Sequence, residues 1–188
     1  MVISLLLGLR GGGRLGRNVL NHVSPSSNDI VVYTSDNDYR DTRWVVASGG
    51  NGTGSVSFDT GNPSLGVTNY FSIRNNTYGN KDFNQRPVNY QKGTYQASVY
   101  ARLPKDYTGN GGTIFLRGYS INGLGQLWYQ EFNLNSKDWV KFTYTFKTDS
   151  FYNDKTASFA FGVANKVDAD FASPSLIQLD DIKLGGGA

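Results

Sequence analysis

The segment 138–146, DWVKFTYTF, alternates so strictly that it leaves the chain few folds to choose from. Val140, Phe142, Tyr144 and Phe146 fall on one side of an extended strand, and Trp139, Lys141, Thr143 and Thr145 on the other. This is the period-two pattern of a strand buried on one face. The buried face needs a second layer to pack against, and stacking two antiparallel sheets supplies it. Trp139, opposite in parity to Phe142, is left to cover the sandwich edge or to contact another subunit.

Further segments repeat the solution. Residues 94–102, TYQASVYAR, put Tyr95, Ala97, Val99 and Ala101 on one side and Gln96, Ser98, Tyr100 and Arg102 on the other. Similar signals bounded by turn residues lie at 30–34, 43–48, 55–59, 68–73, 113–120, 126–134, 157–165 (Phe159, Phe161 and Val163 inward) and 175–184. The polar stretch 74–90 reads as a long surface loop or a loop holding a short irregular strand. In the last segment Ile177 and Leu179 have one parity and Ile182 and Leu184 the other, so a bulge or bend at Asp180-Asp181 is expected. Composition agrees with strands and tight turns: 23 glycines, 14% aromatic residues and a lone glutamate, Glu131. The expected fold is all-β, a sandwich of about nine or ten antiparallel strands in a single domain.

The formal charge of +3 is concentrated at the N-terminus, where Arg10, Arg14 and Arg17 precede every acidic residue. Without those three, the basic and acidic residues balance, so no basic face is expected on the folded part and nucleic acid is not an expected partner. The apolar run at residues 2–7 is too short to span a bilayer, and its basic residues follow the run, unlike those of a secretory signal. Neither membrane insertion nor targeting is expected. Ile3, Leu5, Leu6, Leu7 and Leu9 cannot bury themselves, and Gly11-Gly12-Gly13 joins them to the arginines. The segment therefore reads as an arm that orders on a neighbouring surface. The expected layout is an arm over 1–24, a sandwich over 25–184 and a Gly-rich tail over 185–188.

Little in the chain suggests catalysis. There is no cysteine, and the sole histidine, His22, has no nucleophile-elbow motif to serve. Carboxylates cluster at Asp36, Asp38 and Asp41 and at Asp168 and Asp170, but without paired glutamates for glycoside hydrolysis. The run containing Asp36 lacks the Gly and terminal Glu of an EF-hand loop, so Asx-turn capping accounts for it. The chain is not expected to be an enzyme.

Residues 95–102, the Trp139 strand ending in Tyr144-Thr145-Phe146, and the terminal LDDIKL together resemble the jelly-roll carbohydrate-binding modules related to families 4, 9 and 22. The resemblance covers roughly residues 90–184. It implies a jelly roll, a surface glycan as partner, and a structural Ca²⁺ site at Asp180 as the sole expected cofactor. The usual acidic partner of that calcium is missing, because this chain has NVLNHVSP where the modules have an NxxFE-like segment.

Sugars stack their apolar faces on rings and are oriented by flanking polar groups. The candidates on the face away from the core are Tyr100, Arg102, Phe115, Arg117 and Tyr119, joined by Trp128, Gln130 and Phe132 or by Tyr129, Glu131 and Asn133 according to register. A charged neighbour of like parity argues against a dry interior. The expected platform is therefore Tyr100, Arg117, Tyr119, Tyr129 and Glu131, with Trp128 and Phe132 left to fill the core.

A cysteine-free jelly roll of this size with an extended arm is also similar to capsid decoration or cement proteins and to tail or fibre components of tailed bacteriophages. On that resemblance the first expectation is a virion accessory protein, assembled in the host cytoplasm. It would dock a capsid or other shell protein through Ile3, Leu5, Leu6, Leu7, Leu9, Arg10, Arg14 and Arg17 and act as a homo-oligomer. The alternative is a non-catalytic carbohydrate-binding module or a tail adhesion component.

Overall fold

The computed structural model describes residues 18–20, 30–32, 44–47, 56–60, 69–76, 78–120, 125–149 and 157–179. The described residues contain eleven strands: β1 (Ile30–Val32), β2 (Trp44–Ala47), β3 (Val56–Thr60), β4 (Asn69–Ile73), β5 (Asn80–Gln85), β6 (Gly93–Arg102), β7 (Gly112–Ser120), β8 (Gly125–Leu134), β9 (Val140–Thr148), β10 (Ser158–Ala164) and β11 (Ala169–Gln178). The larger sheet has six strands in the order β1-β2-β5-β10-β7-β8, and the smaller has five in the order β3-β4-β11-β6-β9. This is the expected jelly-roll sandwich. Its pairings are antiparallel except that of β1 with β2, which is parallel.

Strand β10 shows why the layers meet as they do. Its alternation puts Phe159, Phe161 and Val163 on the inner side and Ser158, Ala160, Gly162 and Ala164 on the outer side, and all seven residues are buried. Phe161 lies 5.2 Å from Trp44 and 5.6 Å from Phe83 within its own sheet, and 5.1 Å from both Phe71 and Phe171 across the sandwich. A second ring group continues the core, with Trp128 stacked on Phe146 at 4.3 Å and Phe146 on Tyr95 at 5.6 Å. Such contacts add about 0.5–1.5 kcal/mol per pair beyond burial alone. In this second group Trp128 Nε1 donates to Tyr90 Oη at 3.2 Å, and Tyr90 Oη donates to the Ser158 carbonyl at 2.9 Å. Gly118 on β7 leaves room for the Trp128 ring, which a Cβ there would strike.

Several boundaries differ from the sequence reading. The stretch 74–90 holds β5, a regular strand between β2 and β10 whose Phe83 is fully buried. Strand β11 starts at Ala169, not Ser175, because Pro174 sits in a register irregularity between Ala172 and Ser175 where no ladder hydrogen bond is lost. Leu176 lies in the core, with Ile177 half-buried and Leu179 exposed. Asp180 and Asp181 lie outside the described residues. Of the expected inner set on β9, Phe146 is buried, Phe142 and Tyr144 are half-buried and Val140 is exposed, since β9 is the edge of its sheet. Trp139, just before the edge strand β9, packs its ring against the Arg102 guanidinium at 4.5 Å. Within the segment read as an arm, Asn18 pairs with Ile177 and Leu20 enters the core.

Phe161 touches four aromatic side chains in two sheets, so Phe161→Ala should lower the unfolding free energy by about 3–5 kcal/mol. Urea denaturation measures this, and a loss under about 1 kcal/mol would contradict the packing described.

Candidate ligand-binding face

The outer side of the larger sheet is shaped by the small residues of β10. Ala160 lies in register beside Arg117 of β7 and Asn84 of β5, and Gly162 lies beside Phe115 of β7 and Asp82 of β5. Strands β5 and β7 are thus two ladder spacings apart, about 10 Å. Nothing larger than a methyl or hydroxymethyl group rises from β10 between them. The Arg117 side chain crosses this low floor and forms an ion pair, Nη2 to Oδ2, with Asp82.

The pair is unusual in what it leaves unfilled. Asp82 Oδ1, Asn84 Oδ1 and Arg117 Nε are all buried, and among the described residues none has a hydrogen-bond partner. Each such group costs about 1–3 kcal/mol if it stays unpaired. Burial pushes the Asp82 carboxyl above its ordinary value, against the opposing pull of Arg117, Asn84 and Arg86.

Aromatic groups flank the pair. Phe115 is completely buried although it faces outward, because Tyr129 stacks on it at 5.7 Å and the Arg117 guanidinium lies 5.2 Å from its ring. Tyr129 stands opposite Arg117, and Glu131 opposite Phe115. Tyr129 Oη donates to Glu131 Oε1 at 2.6 Å, and burial together with the Glu131 charge pushes the phenol up to about 12. Tyr129 therefore stays a protonated donor at neutral pH. A register irregularity between Gly118 and Tyr119 sets Tyr119 opposite Gln126, and its ring is 39% exposed at the rim.

Arg117, Tyr119, Tyr129 and Glu131 from the expected platform thus share one face. Tyr100 does not join them. It lies on β6 in the smaller sheet, opposite Lys141, because alternation tells the side of a strand but not the sheet the strand enters. The register left open on β8 is resolved with Tyr129, Glu131 and Asn133 outward and Trp128, Gln130 and Phe132 inward. Asp82 and Asn84 were not foreseen. In NKDFNQ the sole apolar residue is Phe83, and one residue cannot display a period.

The other chemical candidates take structural places or lie elsewhere. Asp168 Oδ1 accepts from the Asn75 backbone at 2.8 Å, and Asp170 is bound by two arginines, so this acidic pair is committed to holding loops and strands. The arm residues 1–17, His22, Asp36, Asp38, Asp41 and Asp180 lie outside the described residues. Among the described residues no group of three or more histidine, aspartate or glutamate side chains is gathered as a metal site.

The face offers two carbonyl-type acceptors, a guanidinium donor and tyrosine rings, a set suited to a ligand with hydroxyl groups and apolar ring faces. No protein-family model and no curated protein matches the sequence. Solved structures share its fold. A family 22 xylan-binding domain of Paenibacillus barcinonensis Xyn10C matches with a TM-score of 0.58 at 10% identity, over 89% of this chain and 98% of that one. A family 4 carbohydrate-binding module matches with a TM-score of 0.55 at 18% identity, over 76% and 92%. The tailspike protein 4 of bacteriophage CBA120 matches with a TM-score of 0.53 at 14% identity, over 75% of this chain but 20% of that one. At these identities the likeness concerns the fold, which is that of the carbohydrate-binding-module jelly rolls.

An acid whose pKa is raised by folding binds its proton more tightly in the folded chain. Between the ordinary 3.8 of Asp82 and its folded value, the folded protein holds the extra proton, so stability falls as pH rises through that window. Asp82→Asn removes this titration. Urea denaturation from about pH 4 to pH 8 should show the wild type losing stability relative to the variant as pH rises. A difference flat with pH, or one running the other way, would contradict the assignment.

Proposed function

We propose that the chain is a non-catalytic glycan-binding domain and that the outer face of its larger sheet receives the sugar. The observation that carries this reading is the cluster of three buried, unpartnered polar atoms on Asp82, Asn84 and Arg117 beside Tyr119 and Tyr129. Sugar hydroxyls donate to Asp82 Oδ1 and Asn84 Oδ1 and accept from Arg117 Nε, satisfying groups that protein atoms leave open. Tyr119 at the rim supplies a ring for the apolar face of a pyranose or furanose. The carbohydrate-binding modules that share the fold support this reading.

Placement on a virion is a second reading. It is favoured by the apolar, Gly-linked and Arg-bearing pattern of residues 1–17 and by the occurrence of this fold within a phage tailspike. In it the arm docks the domain on a shell or tail protein and homo-oligomerisation multiplies weak glycan contacts. Removing residues 1–17 should abolish attachment to particles while leaving the sandwich folded. Unchanged occupancy would sink that placement without touching glycan binding.

A glycan array probed with the intact protein should give a defined set of binders. Tyr119→Ala and Tyr129→Ala should each weaken the best of them by about tenfold or more, roughly 1.4 kcal/mol, with little change in unfolding midpoint. No binder across a broad neutral and acidic array, or undiminished binding by both variants, would overturn the reading.

A further inference from the structure

The outer face of the smaller sheet carries a second constellation, and its unfilled groups are of the opposite kind. Asp170 is buried at its centre. Its Oδ1 accepts from Ser72 Oγ at 3.1 Å and from Arg74 Nη1 at 3.0 Å, and its Oδ2 accepts from Arg102 Nε at 3.1 Å. The carboxylate is fully used, yet it balances only one of its two guanidinium groups.

Arg102 sits between two rings, 5.0 Å from Tyr70 and 4.5 Å from Trp139, which meet edge-on at 5.8 Å. Its Nε is taken by Asp170, and its two terminal nitrogens have no acceptor among the described residues. Beside it Trp139 Nε1 is buried and likewise lacks an acceptor. Lys141, two residues further on in β9, stands over Tyr100 at 5.8 Å and has no carboxylate partner among the described residues. These are donors and cations throughout.

The same face continues along β6 and β9, where Ser98 lies opposite Thr143, Gln96 opposite Thr145 and Thr94 opposite Lys147. Arg74, through its ion pair with Asp170, and by register Arg102, Lys141 and Lys147 share this face with Asp170, so among these described residues positive charge is in excess. A strip of hydroxyls and an amide thus runs between two cationic ends. The span from Lys141 to Lys147 is about 20 Å along an extended strand.

We propose that this face is a second binding site, which takes the carboxylate groups of an acidic saccharide chain. The paired terminal nitrogens of Arg102 match the two oxygens of a carboxylate, and the flanking rings of Tyr70 and Trp139 keep water from weakening that contact. Lys141 adds charge, and the Ser, Thr and Gln strip receives ring hydroxyls. The site is independent of the one on the larger sheet. Together they let one domain engage a neutral and an acidic stretch from opposite sides.

Affinity electrophoresis of the full chain in gels containing polygalacturonate, a neutral galactan, dextran sulfate or polyphosphate tests this directly. Polygalacturonate should retard the wild type most. Lys141→Gln, at an exposed position, and Arg102→Lys, which keeps the charge but loses the fork, should each weaken retardation by roughly five- to tenfold. Lys166→Gln, which removes an equal charge from the exposed turn between β10 and β11, should leave it unchanged, and a preserved unfolding midpoint for Lys141→Gln excludes misfolding as the cause. Absence of retardation by polygalacturonate overturns the proposal. So does equal retardation by dextran sulfate or polyphosphate, which would mean charge alone, and so does an equal loss of retardation in Lys166→Gln.

Discussion

The burial of β10 on both faces is the constraint from which the rest of the structure follows. Its inner phenylalanines carry the contact between the sheets, with Phe161 meeting rings from both. Its outer residues are limited to Ser158, Ala160, Gly162 and Ala164. Large groups inward hold the sandwich together, and small groups outward leave a floor low enough for Arg117 to reach Asp82 across the strand. At Gly162 even a Cβ would strike the Lys81 carbonyl and Asp82, so the close approach of β5 that positions the carboxylate requires glycine there. Core and candidate site are two sides of one strand.

The electrostatics of the two outer faces diverge from a similar starting point. Each holds a buried aspartate tied to arginine, an arrangement whose desolvation cost is offset only when the hydrogen bonds are complete. Asp170 achieves this with Ser72, Arg74 and Arg102, and the surplus appears as unpaired cationic donors. Asp82 does not, and the deficit appears as an unfilled carboxylate oxygen beside an unfilled amide oxygen. The first arrangement calls for an acceptor and the second for hydroxyl donors. A pair left incomplete in a buried place is a cost to folding that a bound ligand can remove.

Much of the fold was legible in the chain because β6 and β9 alternate plainly between apolar and polar residues and β10 between large and small ones. Arg117, Tyr119, Tyr129 and Glu131 could be grouped from parity and charge alone. Two kinds of information were not in the pattern. Strand parity is silent on sheet membership, which is why Tyr100 was grouped with residues on the opposite side of the sandwich. A strand whose inner face holds Lys81, Phe83 and Gln85 has no hydrophobic period, so β5 was hidden, and with it Asp82 and Asn84. The second half of the site came from tertiary pairing, which brings β5 beside β10 from far along the chain.

The account rests on Asp82, Asn84 and Arg117 being filled by a sugar. The most direct test is NMR observation of the Arg117 Nε–H and Asn84 side-chain amide resonances while the best-binding oligosaccharide from a glycan array is titrated in. The account predicts that these signals shift and saturate together with those of Tyr119 and Tyr129. Saturable binding that moves resonances elsewhere and leaves Arg117 Nε–H and Asn84 untouched would contradict it.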